Sequence, residues 1–432
     1  MTVYAPQFAD PAPAVNLRIP AGRAIRDVPN ARHVNRTFFP SQYFQNVDQN
    51  GDIFHIVVTR ITYDLRRTWG DAYLAYACVQ TPLARADVWD GEINNSSPLW
   101  ESDYAPYKPR CDILVANAVT RPVASQPGKP LQSATRWACG IALDWQDPQG
   151  KSEHWHKTLT VTGPRQFDVI GQSEPRAAQA VPIHWQLAYG GQIKNPPQDV
   201  LDAHGKVKRA AGSQRWQFDA RNPIGCGLLR STGAPSPQLE LTKKPFHGQK
   251  DYPPVSLCAV GRAWQPRHKL AGTYDKNWSE HQWPLPPHDF NYAYWNCAPE
   301  DQQTDYLPPG THIRLGKLFP PDVTQEWPEI FEARLPLHKL CVSASFERHP
   351  GHAVVHPCDL DTLVFDMASM QAYATYRMVL HAPDLQATDP EINPLDWSLF
   401  LQTYLAPNMQ RLKEKITESE LQSLGANAAP RA

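Results

Sequence analysis

Three groups of residues in this chain have the types and spacing that chemistry needs. His154 and His156 stand two apart in EHWHKTLTV and so fall on one face of a strand, where two imidazoles could chelate a metal. That face continues into Thr158 and Thr160, the composition of a solvated strand surface, and no further ligand converges on it in sequence. His349, His352, His356, Cys358 and Asp359 in HPGHAVVHPCD offer ligand types suited to zinc. Their spacing matches no structural zinc motif, and the prolines and glycine predict a turn between strands. Asp289, Glu300 and Asp301 lie among Trp278, Trp283, Tyr294 and Trp295. Paired acids beside aromatic platforms are the ingredients of glycoside hydrolysis. Aspartates in proline-rich loops also cap turns and accept backbone hydrogen bonds, which is the commoner use. No P-loop, no G-x-S-x-G elbow and no H-E-x-x-H occurs, and Gly225-Cys226-Gly227 lacks the third glycine of a dinucleotide fingerprint. Neither a catalytic set, a metal nor a cofactor is expected.

Elements that alternate with period two must position these residues. Trp137, Cys139, Ile141, Leu143 and Trp145 share one parity, as do Ile183, Trp185, Leu187 and Tyr189. Leu159 with Val161, Leu340 with Val342 and Ala344, and Tyr376 with Met378 and Leu380 repeat the pattern. The β-branched run IFHIVVTRITYDL at 53–65 suits a strand buried on both faces. Proline numbers 43 of 432 residues, about twice the usual share, which opposes long helices. The expected fold is mainly β, an antiparallel β-sandwich or barrel-like set of sheets with long proline-rich loops and a short C-terminal helical segment. Residues 1–34 read as an N-terminal extended segment and 35–385 as the β-rich domain, with two β lobes an open arrangement. A polar insertion spans 194–220. Residues 386–432 read as a C-terminal extension, helical where DWSLFLQTYLAPNMQRLKEKITESELQSLG begins at 396. Residues 244–311, dense in Pro, Trp, Tyr and His, must be ordered by side-chain packing rather than long ladders.

Lys and Arg number 42 against 43 Asp and Glu, a net charge of -1. Such balance leaves no basic footprint for nucleic acid and none for an anionic membrane. No apolar window is long enough for a transmembrane helix and no signal peptide is evident. The 8 cysteines form no C-x-x-C pair and read as reduced thiols. The expectation is a soluble cytoplasmic protein.

An ordered series of short motifs supplies a resemblance. It includes Lys108-Pro109 with Asp112-Ile113-Leu114-Val115, Gly163-Pro164-Arg165, Pro182-Ile183-His184-Trp185 with Tyr189-Gly190-Gly191, and Arg221-Asn222-Pro223-Ile224-Gly225. It continues through Trp264-Gln265-Pro266-Arg267, Tyr274-Asp275, Trp278, Asp289-Phe290, Ala298-Pro299-Glu300-Asp301, Asp361-Thr362 and Tyr376-Arg377. The series, over roughly 35–385, resembles a family long catalogued as a domain of unknown function and encoded beside type VI secretion genes. Departures fall at Val115-Ala116-Asn117-Ala118, Ala259-Val260-Gly261 and Pro237-Gln238-Leu239-Glu240. The resemblance implies a bacterial, non-enzymatic adaptor or chaperone that loads an effector toxin, or its PAAR-containing portion, onto the secretion spike. The expected partners are an effector toxin, a PAAR tip protein or the spike protein. A carbohydrate-active β protein using 278–301 is the alternative.

The motif residues Arg165, Tyr189, Gly190, Gly191, Arg221, Asn222, Gly225, Trp264, Arg267, Tyr274, Asp275, Trp278, Asp289, Phe290 and Asp301 read either as scaffold or as protein-binding positions. Arg165, Arg221 and Arg267, if buried, need partners, and Asp112, Asp275 and Asp289 are the candidate mates. Exposed Trp, Tyr and Arg would instead serve as interface anchors.

Overall fold

The β-branched run at 53–65 forms the centre of the molecule. In the computed structural model, which describes residues 31–381 and 399–406 apart from 71, 126–128, 148, 195–215, 323, 325 and 347–348, it is the long strand Ile53–Trp69. Numbering only the strands used below, β1 is Arg32–Asn35, β2 Ser41–Val47, β3 Ile53–Trp69 and β4 Tyr73–Tyr76. Then come β5 Cys111–Ala116, β6 Arg136–Gln146, β7 Ser152–Thr162 and β8 Leu239–Leu241. β9 is Gln303–Thr304, β10 His312–Gly316, β11 Ile330–Arg334 and β12 Lys339–Phe346. β13 is His349–Pro357, β14 Asp359–Asp366, β15 Gln371–His381 and β16 Leu399–Ala406.

The fold is mainly β, with several sheets and no closed barrel. A large sheet runs β8-β7-β6-β10-β11-β4-β3-β15-β14-β5-β9, with β2 also paired to β3. A smaller sheet runs β1-β16-β12-β13. Most neighbours are antiparallel; β14 with β5, β11 with β4 and β1 with β16 are parallel. The alternation expected in 137–145, 159–161, 340–344 and 376–380 falls within β6, β7, β12 and β15.

β3 and β5 are buried on both faces, and that arrangement positions the candidate site. Ile61, Tyr63 and Leu65 of β3 and Cys111, Ile113 and Val115 of β5 enter the main core. From the opposite face, Leu114 and Ala116 meet Leu99, Ala259, Cys297 and Ala298. Residues 257–302 therefore cover the back of the large sheet, held by short 3-10 turns and a single short helix, α1 (Lys276–His281), rather than by ladders. This is the ordering by packing expected of that segment.

Three elements differ from expectation. Residues 183–189 form no continuous strand: a 3-10 turn at Trp185–Leu187 separates the short strands Val181–Pro182 and Tyr189–Gly190. The side chain of Asn222 takes the carbonyls of Trp185 and Tyr189, which a ladder would otherwise use. Leu399–Ala406 is strand, not helix; Leu399, Leu401 and Thr403 point inward with period two between β1 and β12. The rest of the expected C-terminal helix lies outside the described residues. HPGHAVVHP is β13, an edge strand rather than a turn. The polar insertion lies mostly outside the described residues, where its flanks pair as Gln192–Lys194 with Trp216–Phe218.

Candidate functional site

The motif residues assemble at three places. The first is a layer of paired charges between the large sheet and the segment that backs it. Lys108 donates to Asp112 Oδ2 at 2.8 Å and to Thr362 Oγ1 at 2.8 Å. Asp112, fully buried, also accepts from the Cys297 and Ala298 backbone N–H groups at 2.9 and 3.1 Å. Burial opposes the charge on Lys108, yet Asp112, with Cys297 and Asp361 nearby, raises its pKa above the ordinary lysine value. Beside it, Arg377 Nε donates to Asp361 at 2.5 Å and Arg60 NH1 donates to Asp103 at 2.9 Å. Arg267 grips both oxygens of Glu101, its NH2 at 2.6 Å, and donates to the Tyr294 and Val260 carbonyls at 2.7 and 2.8 Å. Arg262 bridges Glu101 and Asp87 at 3.0 and 2.8 Å. Trp264, 2% exposed, meets Trp185 edge-on with ring centroids 5.8 Å apart.

The second place is a glycine-lined crossing. Gly190 and Gly191 both have positive φ, at 143° and 101°, and a Cβ on Gly190 would collide with the Asn222 carbonyl. Asn222 Nδ2 donates to the carbonyls of Trp185 at 2.8 Å and Tyr189 at 2.9 Å, while its own carbonyl accepts from Gly191 at 2.8 Å and Gly225 at 3.3 Å. Tyr189 packs against Phe246 and Tyr252. Arg221 pairs with Asp219 at 2.6 Å, and Arg165 pairs with the fully buried Glu240 and donates to the Pro237 carbonyl at 2.8 Å. Next to Arg165 opens a cavity of about 270 Å³, lined by Arg176, Gln186, Cys226, Ser236 and Gln238 among others. Burial pushes the Cys226 thiol up to about 12, so it stays protonated near neutrality and is a poor nucleophile.

The third place is exposed. Asp275 Oδ1 accepts from Trp278 N at 2.8 Å and caps α1. Asp289 accepts from Thr273 N at 2.9 Å and Thr273 Oγ1 at 2.7 Å, and these bonds hold its pKa below the usual carboxylate range. Phe290 N closes a turn onto the Pro287 carbonyl at 3.0 Å. Asp301 receives Lys157 Nζ at 2.7 Å. The two aspartates of the 278–301 set are thus committed to a turn and an ion pair. Around them Tyr274 is 57% and Trp283 66% exposed, with the Tyr274 and Trp278 ring centroids 4.7 Å apart.

The expected mates of the arginines are corrected. Asp112 serves Lys108, Asp275 serves the α1 N-terminus and Asp289 serves Thr273; Arg165, Arg221 and Arg267 take Glu240, Asp219 and Glu101 instead. Glu240 stands in one of the departing motifs, and Asp361 and Arg377 stand in the motif series, so those positions carried a signal. Glu101 and Asp103, in an ordinary WESDY stretch, carried none.

His154 and His156 do share a strand face. His154 Nδ1 meets Asp144 at 2.6 Å and its Nε2 meets His156 Nδ1 at 3.1 Å, so the pair is engaged with itself and with a carboxylate that also holds Arg314. A group unread from the sequence, Asp48, Asp52 and His381, brings possible metal-ligand atoms within 4.8 Å of one another. There Asp48 Oδ1 already accepts from Asn50 N and Asp52 N at 2.8 Å, and Oδ2 faces His381 at 3.2 Å.

The fold and these three places define a β-sheet protein whose shared polar motifs hold a backing layer onto a central sheet. The chain belongs to the bacterial family described as an uncharacterized protein conserved in bacteria (DUF2169), which it matches over residues 51–377. No curated protein and no solved structure matches it. No helix among the described residues is long and apolar enough to cross a membrane.

Proposed function

We propose that the protein is an adaptor that binds a type VI secretion effector, or its PAAR-containing portion, and helps load it onto the spike. The ordered motif series, which falls largely within the matched region, supports this reading. The observation that carries it is the exposure of Tyr274 and Trp283 beside Asp275 and Asp289, whose carboxylates are spent on internal bonds. Such a surface presents aromatic side chains in one preset arrangement, which lowers the ordering cost of binding. Exposed Tyr and Trp are the residue types enriched among binding hot spots.

Co-expression with tagged PAAR, spike and effector proteins encoded beside the gene tests the reading. One of them is expected to co-purify. Replacing Tyr274 and Trp283 together by alanine should cost at least about 2 kcal/mol of binding, roughly thirtyfold in affinity, with the melting temperature little changed. Absence of any co-purifying partner, together with normal secretion in a deletion strain, rejects it.

A further inference from the structure

The cavity of about 270 Å³ beside Arg165 carries two guanidinium groups on its wall and no carboxylate. Arg165 is answered by Glu240 and by the Pro237 carbonyl, so its charge is spent. Glu240 is shared with Arg136 at 3.4 Å and has no charge left over for the cavity. Arg176 is exposed and makes no ion pair among the described residues. One unpaired positive charge therefore stands on this wall with nothing on the same wall to balance it.

Two carboxamides on the wall add neutral donors. Gln186 Oε1 accepts from Ser97 Oγ at 2.6 Å, and its Nε2 makes no hydrogen bond among the described residues. The Gln238 carboxamide makes none there with either atom, and both side chains are half-buried. Pro164, Leu187 and Pro235 supply an apolar stretch. The backbone around the cavity is fixed. Arg176 N donates to the Pro164 carbonyl at 3.0 Å, Ser236 N to the Arg165 carbonyl at 3.0 Å and Gln238 N to the Leu187 carbonyl at 2.8 Å. A ligand thus enters a preset shape at low ordering cost. A guanidinium and amide N–H groups are together answered by an oxyanion, and the apolar stretch by a short hydrocarbon stem. With one unpaired charge on the wall, a carboxylate monoanion is balanced and a phosphate dianion is not.

We infer that the cavity between Arg176 and Gln238 binds a carboxylate on a short aliphatic stem, which pairs with the Arg176 guanidinium and accepts from the Gln186 and Gln238 amides. An acidic side chain of a polypeptide and a small free carboxylic acid share that chemistry. The cavity wall has no residue in common with the Tyr274–Trp283 surface, and the inference does not depend on the adaptor reading.

Calorimetric titration of the full chain tests the inference. The probes are a short capped peptide with one internal glutamate, the same peptide with glutamine in that place, sodium propionate and inorganic phosphate. The glutamate peptide or propionate should bind saturably, and the glutamine peptide should not. A preference of about tenfold or more for the glutamate peptide over propionate marks a polypeptide as the source, and any smaller preference marks a small acid; either outcome supports the carboxylate site. Arg176→Gln should weaken binding by about tenfold or more, the loss of one charge-assisted hydrogen bond, and Gln238→Ala by roughly fivefold, the loss of a neutral one. Arg176 is exposed, so its replacement should leave the melting temperature in place. If Arg176→Gln does not fold, Gln238→Ala carries the same test. No saturable binding through tens of millimolar of either carboxylate, equal binding of the glutamine peptide, stronger binding of phosphate, or unaltered affinity in either folded variant overturns it.

Discussion

Arg267 and Glu101 are held by two charge-assisted hydrogen bonds in a nearly dry setting, with side-chain exposures of 4% and 3%. Removing one partner leaves the other charged and buried, so Glu101→Ala should lower stability by about 3–5 kcal/mol, read from the urea midpoint. A midpoint within error of the parent would show that the pair is not what holds this layer. A second residue titrates in an accessible range. Burial, reinforced by Asp361, pushes the Asp359 carboxyl from the ordinary 3.8 up to about 7. The folded protein therefore holds this proton where the unfolded chain has released it. The stability linked to this group is present below about pH 4 and is lost as pH rises towards about 7, a total of up to about 4 kcal/mol. Asp359→Asn should flatten that part of the pH dependence of the urea midpoint; an unchanged slope would assign it to other groups. At this scale the sequence showed which residues matter more readily than which ones touch. Arg267 finds Glu101 across 166 positions, and Arg165 finds Glu240 across 75. Such partners are chosen by sheet register and loop path, which local spacing does not encode.

Among the elements, the alternation was legible in every run but 183–189. The strand containing Trp137, Cys139, Ile141 and Leu143 runs as its pattern predicts, because its ladder and its buried face agree. Residues 183–189 carry the same alternation but yield to Asn222, whose amide and carbonyl occupy the backbone groups of four neighbours. Gly190→Ala should therefore destabilise by about 1–3 kcal/mol, from a strained φ and from contact with the Asn222 carbonyl, measured by denaturant unfolding. Asp275→Ala removes the N-cap of α1 and should cost about 1 kcal/mol locally. Faster amide exchange at 276–282, without faster exchange in β3, would report that loss; unchanged exchange would mean the cap is not what orders the turn. Prolines of the motif series stand at the starts of short turns, including Pro266 before the 3-10 turn Arg267–Ala271 and Pro299 before Glu300–Gln302.

At the scale of the whole molecule, the β character was legible from composition and period, whereas the strand order was not. β3 pairs with β15, and β5 with β14, only because distant segments return to the centre of the sheet. The smaller sheet depends on the same kind of return. There β1 pairs with β16, with Arg32 opposite Phe400 and His33 bonded to Thr403 at 2.8 Å. Ending the chain after His381 should leave residues 32–35 unprotected in hydrogen exchange while β3 keeps its protection; retained protection at 32–35 would show another partner. The two halves of that pairing lie 370 residues apart. At the usual pace of synthesis the interval between their appearances is roughly 20 to 70 seconds. A nascent chain thus carries Arg32–Asn35 without its ladder partner until residues 400–403 have emerged, and the order of translation sets when this pairing can close.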